Sequence, residues 1–401
     1  MLSVPTRFLP WRLHAAWPAL LLLAASGHAL AFGPVEIGVI TSRSGTAQAA
    51  GATQALAATA WGSRMRAAGG IFGVPVTIRL ADDGGVPARA ASEARDLIEA
   101  GVHALVCCTT QAASLAVAEV AEATGVTLLS PTPLDGFGAS GRGGVAYWSF
   151  ALSPSETDAL AMVVSDAAAA GRGAVALMTL DNSFGDAALH ALEALLGYAG
   201  LGLSSVTRYP PGPTELRPEA LLLASRQPGA VVVWGLADDL SVAVLALRTR
   251  GYEGLVYART ALLAPGTDRP SWAALAETRF AVIPGLVASS LPDDYICLEA
   301  VLTAQAQLSS VFSGVADLGA AAPVVDALAL LGAAVEQVVA LQLPAVSLAV
   351  ERQALRDGLV ALDERCGASG LLDLTEGRLS AVVPRGLVPA HVTPQGLRAL
   401  P

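Results

Sequence analysis

Two threonines, Thr109 and Thr110, follow the apolar run "HALVCC" (103–108) and stand where a helical pattern begins, at about 110–123. The first backbone N–H groups of a helix lack intrahelical partners, and the dipole end there is positive. A threonine at that point either caps the helix or presents hydroxyl and N–H to an anion such as a carboxylate. The sequence leaves both readings open. The adjacent Cys107 and Cys108 offer less chemistry. Metal sites use C-x₂₋₄-C spacings with further Cys or His partners, and redox pairs use C-x-x-C. A bridge between neighbours is disfavoured, because adjacent Cα atoms lie ~3.8 Å apart, below the usual disulfide range. Cys297 and Cys366 are distant in sequence and can pair in an oxidising compartment.

Asp82 and Asp83 precede "GGVPA", which reads as a turn and helix cap; acid–base work is disfavoured because adjacent residues of an extended segment point to opposite sides. Asp238 and Asp239 also resemble a helix start. Their place just after the apolar run "AVVVWG" (230–235), beside Trp234, makes them candidates to meet an ammonium or a hydroxyl. Arg259 ends the run "GLVYA" (254–258) in the same way. Much catalytic chemistry is missing. All 24 basic residues are arginine, which removes a P-loop lysine and a Schiff-base lysine together. His103, His190 and His391 stand alone, and neither G-x-S-x-G nor H-E-x-x-H occurs. No cofactor and no metal site are expected. A formal net charge of −10 repels phosphate backbones and counts against a nucleic-acid partner.

The elements that must position these residues alternate regularly. Apolar strands at 35–40, 74–80, 103–108 and 126–130 are separated by helical patterns at 47–68, 87–100 and 110–123. The rhythm resumes with strands at 174–180, 202–209, 230–235 and 254–258 and helices at 184–199, 214–226 and 239–250. Such alternation predicts parallel sheets covered on both faces, and the two runs predict two α/β domains. Ligands of such sheets bind at the carboxyl ends of the strands, where Thr109, Thr110, Asp238 and Arg259 all fall. A Gly/Pro/Ser-rich stretch (130–144) reads as a long loop between the runs. Alanine-rich helices at about 295–312 and 322–341 and a terminal hairpin, "LLDLTEGRLSAVV", follow. Residues 1–31 read as a secretory signal peptide: Arg7 and Arg12, an apolar core, then "ALA" at 29–31.

Five segments, in order, are similar to the branched-chain amino-acid type of periplasmic solute-binding proteins of ABC transporters. They are "IGVITSRSGTAQAAG", "MRAAGGIFGVPVTIRLADDGGVPARAASEARDLIEAGVHALV", "CTTQAASLAVAEVAEATGVTLLSPT", "LMTLDNSFGDAAL" and "LALRTRGYEG". The resemblance covers roughly 35–260 and implies a type I periplasmic-binding-protein fold, α/β with two Rossmann-like lobes and a three-strand hinge. The N-terminal lobe is expected at 32–148 and 284–368, and the C-terminal lobe at 149–283 and 369–401. It implies a monomer that closes on a small-molecule ligand and delivers it to a permease in the inner membrane, working in the periplasm. Carried over residue by residue, the ligand site falls on Cys107, Thr109, Thr110, Thr132 and Leu134 of the first lobe. From the second come Phe184, Trp234, Asp238 and Arg259. Two departures matter: Ala50 replaces a frequent aromatic, and Arg259 falls near a position where an acidic residue commonly meets the ligand's ammonium. An arginine there favours a carboxylate over an α-amino acid. A ligand sensor on the same fold and, third, a secreted enzyme are the rival functions.

Overall fold

The computed structural model describes residues 33–137, 146–212, 216–263, 271–310, 318–341, 347–375 and 377–400; the expected signal peptide lies outside them. The first run of elements is β1 (Val35–Thr41), α1 (Gln48–Ala67), β2 (Val76–Asp82), α2 (Pro87–Glu99), β3 (Ala104–Cys107), α3 (Gln111–Thr124), β4 (Thr127–Ser130) and β5 (Ser149–Ala151). The strands form one parallel sheet in the order β2-β1-β3-β4-β5. Nearly every residue of β1, β3 and β4 is buried, as a strand covered on both faces requires.

The second run is α4 (Glu156–Ala169), β6 (Ala174–Leu180), α5 (Ser183–Ala199), β7 (Gly202–Tyr209), α6 (Arg217–Arg226), β8 (Ala230–Trp234), α7 (Ala237–Thr249), β9 (Leu255–Ala258) and β10 (Thr278–Val282). Its strands repeat the same winding, β7-β6-β8-β9-β10. The chain then crosses back. Helices α8 (Leu298–Ser309), α9 (Leu318–Ala340) and α10 (Leu348–Val360) cover the first sheet, where α9 packs on both α1 and α10. Helix α9 is long and apolar, and its buried face (Ala321, Leu328, Leu331, Val335) fills the first core beside Val39 and Trp61. A two-stranded ribbon, β11 (Arg365–Gly367) and β12 (Gly370–Leu372), is joined to the start of α8 by a Cys297–Cys366 disulfide with Cα atoms 5.1 Å apart. Asp326 of α9 anchors its turn by accepting the N–H groups of Ala368 (2.8 Å) and Ser369 (2.7 Å). Finally β13 (Val388–Thr393) and β14 (Gly396–Ala399) add antiparallel to the second sheet beside β10.

The chain therefore passes between the lobes three times: after β5, after β10 and before β13. Two junctions fall later than the sequence places them. Strand β5, at 149–151, pairs with β4 in the first sheet. The segment after 369 also stays with the first lobe, whose core takes Leu372, Leu374, Ala381, Val382 and Leu387. The expected terminal hairpin forms a turn-back there, with Asp373 N–H bonded to the Ala381 carbonyl and Val383 N–H to that of Leu371. The true end hairpin is β13–β14. A short alternating strand pairs with whichever sheet edge buries its apolar face, and sequence pattern alone does not choose the edge.

Candidate functional site

The carboxyl ends of both sheets face a cavity of about 440 Å³. Its first-lobe wall is the start of α1 (Ala47, Ala50, Gln54), the β3–α3 turn (Thr109–Gln111) and the loop after β4 (Pro131–Pro133). Its second-lobe wall holds Glu156, Ala159, Trp234 and Arg259–Ala261, and Gly319, Ala320 and Pro323 of α9 close one end.

Local chemistry explains the first wall. Thr110 caps α3, its Oγ1 accepting the Ala113 N–H at 3.4 Å, and Gly125 ends the helix in the left-handed region. Thr109 Oγ1 accepts the Ser42 N–H (2.9 Å) and donates to Gln54 Oε1 (2.7 Å), tying together the loops after β1 and β3. Thr132 Oγ1 donates to Ser114 Oγ (2.8 Å), which in turn accepts the Cys108 N–H (2.7 Å). Asp82 and Asp83 serve the turn. Asp83 is buried and accepts from Ser42 Oγ (2.6 Å) and Gly85 N–H (2.8 Å), while Asp82 accepts from Arg43 N–H and Ser44 Oγ.

The second wall is built around an ion pair. A capping box of Ser155 and Asp158 starts α4 and sets Glu156 at its first position. Nearly three turns on, Asp166 accepts from Tyr257 OH (2.6 Å) and Arg279 Nη1 (2.7 Å), fixing the helix on the sheet. Burial raises the Tyr257 phenol pKa, and the neighbouring Asp166 adds to that, so Tyr257 remains a donor. Glu156 then receives Arg259 Nε (2.7 Å to Oε1, 2.8 Å to Oε2), Arg259 Nη2 and Trp234 Nε1 (2.8 Å). Thr179 Oγ1 holds the Trp234 carbonyl at 2.7 Å, and the Phe184 ring lies 5.3 Å from the Arg259 guanidinium carbon. Behind the pair, Asp135 of the β4 loop accepts the Glu156 N–H at 3.1 Å, and burial holds its carboxyl pKa above the ordinary value.

Of the residues singled out in the sequence, Thr109, Thr110, Thr132, Trp234 and Arg259 line the cavity together. Three others do not. Cys107 ends β3 fully buried in the core against α3, joined to Cys108 by a disulfide across a cis peptide. That pairing departs from the sequence expectation, which disfavoured a bridge between neighbours; both cysteines are fully buried among apolar side chains, and neither offers a group to the cavity. Leu134 is 1% exposed and anchors its loop in the same core. Phe184 supports Arg259 from behind the wall. The Asp238 side chain lies outside the described residues, and Asp239 is buried in α7 away from the cavity. Sequence reasoning missed Glu156 and the α9 wall. The signal for Glu156 was "SETD", a capping box that places its second residue at a helix N-terminus.

The two doubly wound lobes share a cleft and are joined by three crossings. The chain belongs to the periplasmic binding protein family, which matches residues 34–370. Among curated proteins none matches its sequence. Solved structures share the fold at low identity. An extracellular ligand-binding receptor from Rhodopseudomonas palustris HaA2 is 19% identical with a TM-score of 0.71, covering 92% of this chain and 100% of that one. A putative branched-chain amino acid ABC transporter from Rhodospirillum rubrum is 22% identical with a TM-score of 0.69, at the same coverage. An ABC transporter substrate-binding protein from Desulfitobacterium hafniense, in complex with Leu, is 16% identical with a TM-score of 0.71, again over 92% and 100%.

Proposed function

We propose that this protein is the periplasmic solute-binding component of an ABC importer. It would be exported by its N-terminal 31 residues and capture a small organic solute, a hydrophobic amino acid, amide or carboxylic acid, in the inter-lobe cleft. The observation that carries the reading is the cavity walled by both lobes. A solute touching both walls stabilises the closed arrangement over the open one, and so changes the surface a permease meets. The size of the cavity suits a molecule of amino-acid dimensions, and its walls mix alanine, leucine and isoleucine with a few polar groups, as small-molecule sites do. Thr110, Thr132 and Arg259 are the proposed polar contacts, and Trp234, its Nε1 engaged by Glu156, contributes its ring to the wall. Cys107 and Leu134, as core residues, support the wall from behind, and Phe184 positions Arg259.

The test is a thermal-shift screen of the purified protein against amino acids, amides and aliphatic or aromatic acids. A solute at 100 times its dissociation constant raises stability by about 2.7 kcal/mol. Transport is then tested by uptake of the radiolabelled hit in cells with and without the gene. Binding with unchanged uptake would favour a sensor, and no hit across the screen would remove the solute-binding reading.

A further inference from the structure

The polar groups of the cleft are unequal in what they have left to offer. Glu156 is the one carboxylate lining the cavity among the described residues, and it is saturated. Arg259 occupies Oε1 through Nε and Nη2, and Oε2 takes Arg259 Nε and Trp234 Nε1. A carboxylate offers about four lone-pair sites, so little remains for an incoming ammonium. Arg259 is in the opposite position. A guanidinium carries five N–H donors, and here Nη1 has no hydrogen-bond partner among the described residues. The first wall also presents donors. Thr110 Oγ1 accepts from Ala113 N–H, which leaves its own proton to give, and the first N–H groups of α3 lie beside it. The hydroxyl protons of Thr109 and Thr132 are directed to Gln54 and Ser114. Asp135, the other carboxyl near Arg259, does not line the cavity; both its oxygens sit behind the pair, one on the Glu156 N–H and one buried without a partner. The remaining wall, with Ala47, Ala50, Ala159, Ile283 and Leu286, is apolar.

We infer that the solute presents an oxygen acceptor, a carboxylate or an amide carbonyl, to the unengaged Nη1 edge of Arg259, and carries no ammonium. The inference rests on the solute-binding reading and narrows it. An ammonium in this cleft would meet a fixed like charge at Arg259 and find its one carboxylate already spent. An acceptor meets donors from both lobes, and its apolar body takes the alanine-lined wall. Glu156 then acts as a positioning residue, holding the guanidinium edge-on to the cleft.

The test is isothermal titration with two matched series: leucine, 4-methylpentanoate and 4-methylpentanamide; phenylalanine, 3-phenylpropanoate and 3-phenylpropanamide. In at least one series the acid or the amide should bind roughly tenfold or more tightly than the amino acid, and which of the two binds separates carboxylate from carbonyl. Arg259→Lys keeps a cation beside Glu156 but removes the second donor edge, and should weaken that ligand roughly ten- to a hundredfold. Should that variant fail to fold, Arg259→Gln serves instead, keeping a neutral donor for Glu156 but removing the guanidinium. It should weaken the acid or amide roughly tenfold or more, whereas a site built for ammonium would retain its amino acid. Tighter binding of the amino acid in every series that binds overturns the inference, as does Arg259→Lys with unchanged affinity. If neither series binds, a broader screen decides: an ammonium-bearing hit overturns this inference alone, and no hit at all removes the solute-binding reading with it.

Discussion

Replacing Asp326 with Asn should change how the stability of the protein depends on pH. Asp326 lies on the inner face of α9, fully buried, with its oxygens on the N–H groups of Ala368 and Ser369 and no cation beside it. Burial pushes its carboxyl from 3.8 up to about 6, against the lowering effect of those hydrogen bonds. The native state therefore keeps a proton that the unfolded chain has released between those two values. Stability from this group is fully present below about pH 4 and is lost as pH rises through about 6. About two pH units at 1.36 kcal/mol each give a loss of about 3 kcal/mol. Asparagine cannot ionise and keeps one acceptor for the β11–β12 turn. Urea denaturation of both proteins at pH 4, 5, 6 and 7, followed by circular dichroism, gives the difference in stability at each pH. Other titrating groups are common to both and cancel. The wild type should lose about 3 kcal/mol relative to Asp326→Asn across the series. A difference that stays flat with pH would refute the account of a buried, uncompensated carboxyl.

Three further outcomes are expected. Reducing the Cys297–Cys366 bridge reopens a loop spanning 69 residues, so its removal should cost about 4 kcal/mol by the chain-entropy model, read as a lowered melting midpoint in reductant. Gly51→Ala drives a methyl group into the backbone of Ser42, whose N–H holds Thr109. It should destabilise the protein by roughly 1–3 kcal/mol and weaken solute binding through the displaced loop, both measurable by thermal shift with and without ligand. Thr110→Ala removes the cap of α3 and should cost about 1 kcal/mol in denaturant titrations. The same variant loses a cleft donor, so its ligand affinity falls as well; unchanged affinity in a titration would take Thr110 out of the site.

The α/β alternation was legible because fully buried parallel strands are short apolar runs and the helices between them have their own period. Strands β6 and β7 match the expected ranges residue for residue. Strand-end geometry then located Thr109, Thr110, Trp234 and Arg259, because in a doubly wound sheet those ends converge whatever the side chains are. Orientation within a short loop was not legible. Leu134 and Thr132 are two residues apart on one loop, yet one anchors it in the core and the other faces the cavity. Glu156 escaped because its role depends on where α4 docks, which is decided by Asp166, Tyr257 and Arg279 from three separate segments. The α9 wall escaped for a similar reason, since Gly319 and Ala320 reach the cleft only after the chain has crossed back to the first lobe.

The central claim is that a solute occupies the cleft between the lobes, and a blocking substitution tests it most directly. Ala320 lines one end of the cavity on α9, so an indole at this position takes space that a solute would need. Isothermal titration of a solute found by thermal shift should give one site per chain in the wild type. With Ala320→Trp, binding should vanish while the unliganded melting midpoint holds. Undiminished binding to that variant would place the solute elsewhere and contradict the account.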